Sequence, residues 1–246
     1  MKEVRFFYTP DIAKSNELPA DEAGHAIRVL RLQPGDEICL MDGAGVFYRA
    51  EITVADSKHC FFSILEKMPQ ERSWGAHLHL AMAPTKNMDR IEWFAEKATE
   101  IGFDELTFLN CSFSERKVVK DERIMKILIS AAKQSHKAWV PRLNALTPFH
   151  SFLKKEFHGQ KFIAHCYKDS DLFPDSTEGE RPYLFDALEQ CRDALVLIGP
   201  EGDFSVEEVR NAILAGFQPI SLGKSRLRTE TAALVAVHLM NIKNQI

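Results

Sequence analysis

The run Ala-Leu-Val-Leu-Ile at residues 194–198 constrains this chain more than any other stretch. Five consecutive apolar residues without polar alternation suit a strand covered on both faces, the situation inside a parallel sheet flanked by helices. The surrounding sequence agrees. From Ala76 onward, strand-like runs (HLHLAMA, ELTFLN, a run near Leu143, KFIAHCY, PISLG) alternate with helical patterns: Asp89 to Ile101 stopped by Gly102, Asp121 to Lys137, FHSFLKKEF, and a helix closed by Gly216. That alternation predicts an α/β domain with a mostly parallel sheet over residues 71–246. Ser205 and Glu208 form a capping box ahead of an inward stripe of Val206, Val209 and Ile213. Thr229 is placed to cap a last helix, TAALVAVHLM, so apolar all round that it belongs in the core or against a partner.

Residues 1–70 read differently. Short apolar stretches at Glu37 to Met41 and Val46 to Val54 flank Asp-Gly-Ala-Gly, and Cys60 to Leu65 is a further strand, which together suggest a small β-barrel. HAIRVLRL ahead of it suggests a short helix carrying His25, with Arg28 and Arg31 on one face. Residues 66–75 are the expected linker, and KDSDLFPDSTEGERP at 168–182 an exposed polar loop.

Composition excludes several classes. With 45% hydrophobic residues in 246, the chain can bury a full core. It contains no apolar run suited to a signal peptide and no window near the ~18 residues of a membrane span, so a cytoplasmic location is expected. Five scattered cysteines without a CxxC pair argue against disulfides and against a metal site, and are expected to be buried thiols. The net charge of −4 conceals a basic stretch: Ser112 to Arg142 holds eight basic residues against three acidic ones, which suits either phosphate contact or a solvated helix.

At the end of the 194–198 strand the chain turns through Gly199-Pro200-Glu201-Gly202. Ligands of open α/β sheets bind at such strand ends. The turn matches neither common phosphate-binding pattern, and a central carboxylate opposes an anion. Glu201 instead suits a cationic or hydroxyl-rich ligand such as S-adenosylmethionine, or a structural turn whose carboxylate faces water or caps the next helix.

LIGPEGDFSVEEV followed by SLGKSRLRTETAALVAV resembles the two signature blocks of the RsmE-type ribosomal RNA uridine-N3 methyltransferases of the SPOUT superfamily. HAIRVLRLQPGDEICLMDGAG, PTKNMDRIEWFAEKATEIGF and AAKQSHKAWVP extend the likeness in order over nearly the whole chain. The resemblance implies a small PUA-like RNA-binding β-barrel at 1–70 and a SPOUT domain tied in a deep trefoil knot at 71–246, paired as a homodimer. It implies S-adenosylmethionine held by His165, by Ile198, Gly199, Pro200, Glu201 and Gly202, and by Ser221, Leu222, Gly223, Leu227 and Thr229. The substrate it implies is 16S ribosomal RNA of the small subunit, positioned by His25, Arg28, Arg31, Lys86, Arg90 and Arg226, with Arg228 and Glu230 as catalytic candidates. A non-catalytic ribosome-associated protein and a ribose 2′-O-methyltransferase are the alternatives. Two positions depart from the pattern: Asp203 where relatives often have glycine, and Lys137 where they often have arginine.

Overall fold

The computed structural model describes residues 5–56, 58–173 and 179–246. They form two compact units, one holding the chain up to Arg72 together with Leu128–Val140, the other holding Ser73–Ile127 and Pro141–Ile246.

The first unit contains β1 (Phe6–Tyr8), α1 (Ala20–Gly24), a π-helical turn (His25–Val29), β2 (Glu37–Met41), β3 (Val46–Ala55) and β4 (Cys60–Pro69). The strands of the expected barrel lie in the order β1-β2-β3-β4, with β1 parallel to β2 and the rest antiparallel. Asn16 to Leu18 extend the sheet beyond β4, where the Leu18 N–H donates to Cys60 O at 2.9 Å and the Phe62 N–H to Asn16 O at 2.9 Å. The β2–β3 turn closes on Asp42, whose side chain accepts from the Ala44 and Val46 N–H groups. Gly45 there has φ 111°, and a Cβ would lie 2.8 Å from Trp139 Nε1, which is one reason Leu128–Val140 belongs to this unit.

Two expectations fail in this unit. The linker does not begin at residue 66, because Glu66 to Pro69 complete β4 by pairing with β3; their exposed side chains mimic a loop. Arg28 and Arg31 do not share a helical face, since the helical turn ends at Val29 and Arg31 has φ 55°.

The second unit contains β5 (Leu78–Met82), α2 (Met88–Ile101), β6 (Glu105–Asn110), the start of α3 (Asp121–Gln134), β7 (Arg142–Pro148), α4 (Phe149–Phe152), β8 (Gln160–Ala164), α5 (Asp169–Leu172), α6 (Leu184–Ala187), β9 (Ala194–Ile198), α7 (Val206–Leu214), β10 (Gln218–Ile220) and α8 (Thr229–Lys243). Its sheet has the order β10-β8-β9-β5-β6-β7, with every neighbouring pair parallel. Every residue of β5 and β9 is buried, as continuous apolar strands at the centre of a covered sheet require. α8 packs on β5, β9, α2 and α6 and buries Ala233, Ala236, Val237 and Met240, each of the two larger side chains contributing about 2 kcal/mol. Leu234, Val235, Leu239 and Ile242 on the same helix are half-buried.

Capping follows the sequence closely. Gly102 ends α2 with φ 112° and donates its N–H to Ala98 O, and the Ser205–Glu208 capping box opens α7. Where helices fall short, a physical cause is visible. FHSFLKKEF yields only the four residues of α4, because Phe149 and Phe152 already reach the core while an isolated short helix has no stability of its own. α3 stops at Gln134, with His136 in the left-handed region at φ 52°. Thr229 is the first helical residue of α8 and the cap position falls on Arg228, which makes no side-chain cap bond. The 168–182 segment is not simply exposed: Leu172 is buried and the Arg181 side chain is only 18% accessible, while residues 174–178 lie outside the described ones. Cys39, Cys60 and Cys111 are buried, but Cys166 and Cys191 are exposed.

Candidate active site

The connection leaving β5 runs to β6 on one side and the connection leaving β9 runs to β10 on the other, so the chain changes direction between these strands, and the loops at the carboxyl side leave a crevice. A cavity of about 1000 Å³ occupies that side, walled by the ends of β8, β9 and β10 and by the N-terminus of α8. Every residue lining it belongs to the second unit. The size suits a small-molecule site.

Each wall has a local cause. At Gly199 a Cβ would stand 3.0 Å from the Phe204 backbone nitrogen, so a larger residue would have to push the returning turn outward by a few tenths of an ångström. Glu201 Oε1 accepts the Lys86 N–H at 2.9 Å, tying this turn to the β5–α2 loop; the carboxylate that looked misplaced in a glycine turn is in part a brace. Asp203 has φ 67°, a left-handed conformation that glycine adopts without strain. Here its carboxylate accepts the Cys166 N–H at 2.7 Å and the Phe204 N–H at 2.8 Å, so the departure from glycine serves as a clasp between the ends of β8 and β9. Burial and the Asp203 carboxylate push the Cys166 thiol up, which keeps it an unreactive thiol. Arg181 donates to His165 O at 2.9 Å, to Tyr167 O, and to Asp169 Oδ1 at 3.2 Å. The Leu184 N–H donates to Ser221 O, and the Ser221 N–H to Pro182 O, each at 2.9 Å.

Three polar side chains on this side of the sheet carry a buried atom without a partner among the described residues: Arg116 at Nε, His165 and Glu230. His165 is 9% exposed, neither ring nitrogen has a partner, and burial followed by the nearby Arg181 charge pushes its pKa down to about 4. It is therefore neutral at pH 7. The Glu230 side chain is 9% exposed, and its Oε2 is buried without a partner while Oε1 lies 3.7 Å from Arg90 Nη1. Arg228 is exposed at the rim.

The opposite end of the sheet is also polar but complete. His79 shares a 2.8 Å hydrogen bond with Thr107 Oγ1, and its ring meets Phe152 edge-on. Glu105 is held by His77 at 2.9 Å and by Asn144 at 2.6 Å. Burial lowers His79 to about 4, whereas the His77 hydrogen bond lowers Glu105 to about 2.

Of the residues expected to hold a cofactor, His165, Ile198, Gly199, Pro200, Glu201, Ser221, Leu222, Gly223, Leu227 and Thr229 line the cavity, as do Arg90, Arg226 and Arg228. Gly202 does not line it; a Cβ there would face the Phe113 side chain at 3.3 Å. Glu230 is absent from the main cavity and lines a neighbouring hollow. Lys86 lies outside both, paired with Glu115 at 2.8 Å. His25, Arg28 and Arg31 are exposed in the first unit. Much of the basic stretch is engaged within the protein: Arg123 pairs with Glu92, Lys133 with Glu22, and Arg116 donates to Lys86 O. Among the described residues no group of three or more histidine, cysteine or acidic side chains is arranged to hold a metal ion, and no helix is long and apolar enough to cross a membrane. Arg181 and Trp93 were missed by sequence reasoning: Trp93 lies within PTKNMDRIEWFAEKATEIGF but nothing in its spacing marks it out from the apolar residues beside it, and Arg181 lies in a segment that reads as an exposed polar loop.

A cavity at this change of direction, gripped by glycine turns, is matched by a family model. Residues 72–241 match the RNA methyltransferase domain, and residues 18–65 match the RNA methyltransferase PUA domain. The chain belongs to the RNA methyltransferase family. It is 32% identical to the ribosomal RNA small subunit methyltransferase E of Synechocystis over 222 residues, covering 87% of this chain and 68% of that one. In structure it is similar to a probable rRNA-methyltransferase from Porphyromonas gingivalis, with a TM-score of 0.88, 42% identity and 98% of each chain covered. It is also similar to the ribosomal RNA small subunit methyltransferase E of Neisseria gonorrhoeae, solved bound to S-adenosyl methionine, with a TM-score of 0.80, 27% identity and 98% of each chain covered.

Proposed function

We propose that this protein methylates N3 of a uridine in 16S ribosomal RNA of the small subunit, using S-adenosylmethionine held in the carboxyl-end cavity. The observation that carries the reading is the pairing of that cavity with His165, a buried side chain whose two ring nitrogens have no partner within the protein. A buried polar group without a protein partner beside a cavity is a place where a bound ligand or an ordered water completes the hydrogen bonding. The cavity walls fit the cofactor's chemistry: Ile198, Leu222 and Leu227 offer apolar surface to a base, the neutral His165 ring offers one donor and one acceptor, and Glu201 and Asp203 favour a cation.

When bound, S-adenosylmethionine would supply a methyl group on cationic sulfur, which uridine N3 would take in exchange for its proton while the bonding pair stays with sulfur. The protein's share is to bring the nitrogen into line and remove that proton. Arg228, at the rim, stabilises negative charge that develops on the uracil ring. The partnerless Glu230 oxygen is the proton acceptor. Arg90 and Arg226 hold RNA phosphates beside the site, and His25, Arg28, Arg31 and Lys86 serve as further RNA contacts.

The same reading includes a deep trefoil knot, with α8 threaded past the segment that joins β8 to α6. It is supported by β10 at the sheet edge, the return of α8 to β5 and β9, and the backbone bonds of Pro182 and Leu184 to Ser221. It also includes a homodimer, whose contact surface is the half-buried Leu234, Val235, Leu239 and Ile242 stripe of α8, and a cytoplasmic location. Calorimetric titration with S-adenosylmethionine tests the site: saturable one-to-one binding per chain, weakened in His165→Ala, is expected. No detectable binding would return the protein to a non-catalytic RNA-binding role.

A further inference from the structure

A second hollow, of about 620 Å³, shares Arg90, Arg226, Leu227 and Arg228 with the cofactor cavity. Its remaining walls are Asp89, Trp93, Glu230 and Thr231, contributed by the first turns of α2 and α8. Trp93 leaves 45% of its surface exposed, although Ile91, Phe94, Ala95 and Ala98 of the same helix are buried. Its spacing from Arg90 places both on one face. Glu230 also lines the hollow, and its Oε2 is buried without a partner. An exposed indole face and an unsatisfied carboxylate oxygen in one pocket ask for a ligand that is flat and carries an N–H.

We propose that this hollow is the nucleobase pocket, in which the Trp93 indole stacks on the ring of an extruded pyrimidine and Glu230 Oε2 accepts the hydrogen of its ring N–H. The proposal rests on the methyltransferase reading above and adds to it the stacking platform and the source of base selectivity. Enzymes that act on a base remove it from its neighbours, and an aromatic side chain replaces the stacking lost. A carboxylate at the ring nitrogen also discriminates. Uracil presents N3–H and satisfies Glu230, whereas cytosine presents a lone pair at N3 and leaves a buried charge facing it, a mismatch that such sites reject strongly. The shared wall places the base next to the cofactor cavity, where a methyl group has to be passed.

The test begins with the unaltered protein, S-adenosylmethionine and small-subunit ribosomal RNA, comparing Trp93→Ala and Trp93→Phe. Trp93→Ala is expected to raise KM for RNA about 10-fold or more, from lost base stacking, while calorimetric affinity for S-adenosylmethionine and the oligomeric state by light scattering stay the same. Trp93→Phe is expected to recover most of the RNA affinity. An unchanged KM in Trp93→Ala overturns the proposal, and so does its dissociation into smaller species, which makes Trp93 a contact between copies of the chain. If the unaltered protein transfers no methyl group, the methyltransferase reading fails instead. The pocket is then judged by calorimetry alone, with a short uridine-containing oligonucleotide expected to bind more tightly than its cytidine counterpart, and equal binding counting against it.

Discussion

His79 and His165 stand at opposite ends of one parallel sheet, and burial drives the pKa of each down to about 4. His79 is finished by the protein, with Thr107 at 2.8 Å and Phe152 against its ring, whereas His165 faces a cavity with neither nitrogen bonded. A perturbed pKa therefore does not distinguish a histidine completed by the protein from one left without partners. The accounting of partners does: the amino ends of the strands are closed, and the carboxyl ends are left open for ligands.

The largest effect expected concerns both histidines together. Each folded-state pKa lies below the unfolded value, so the unfolded chain binds more protons between about pH 6.5 and 4, and stability falls as pH falls through that window. The loss is on the order of 3 kcal/mol for each ring by pH 4. Denaturant titrations across this range measure it, and the His165 share is expected to change when S-adenosylmethionine is added while the His79 share stays fixed. Next in size, Arg228→Ala is expected to lower turnover about 100- to 1,000-fold, with cofactor affinity unchanged within a few-fold; equal loss of both in single-turnover and calorimetric assays reassigns Arg228 to cofactor binding. His79→Ala is expected to cost about 2 to 3 kcal/mol of stability. His165→Ala, which removes a ring with no hydrogen bond to lose, is expected to cost less stability than His79→Ala yet to weaken cofactor binding about 10-fold. The reverse pattern in urea melts and titrations breaks the distinction between the two ends. The smallest effect expected is for Asp203→Gly: relief of the left-handed φ is offset by loss of the Cys166 clasp, leaving a stability change under about 1 kcal/mol.

How much of this was legible depended on whether residues act through periodicity or through accounting. The β5 and β9 strands, the Gly102 and Gly216 stops and the Ser205 capping box were plain in the sequence, because burial on two faces and left-handed caps leave local signatures. The polar tail of β4 was not, since its exposed residues read as linker while β3 supplies their backbone partners. Nor was the π-helical turn that separates Arg28 from Arg31. The walls of the carboxyl-end cavity were legible as glycine turns at strand ends and by family resemblance. The roles of Glu201 and Asp203 as braces required knowing that Lys86 and Cys166, distant in sequence, come beside them. Arg181, in a polar loop, and Trp93, among the apolar residues of α2, have no local signal that sets them apart, and only the three-dimensional arrangement brings Arg181 to the cavity and Trp93 to the hollow beside it.

The most direct test of the account is the identity of the product. Small-subunit ribosomal RNA is incubated with the protein and S-adenosylmethionine carrying a labelled methyl group, then digested to nucleosides and examined by mass spectrometry. The account predicts label in N3-methyluridine, lost in Glu230→Gln and Arg228→Ala. Label in a ribose 2′-O-methyl nucleoside, or no label with cofactor bound, would contradict it.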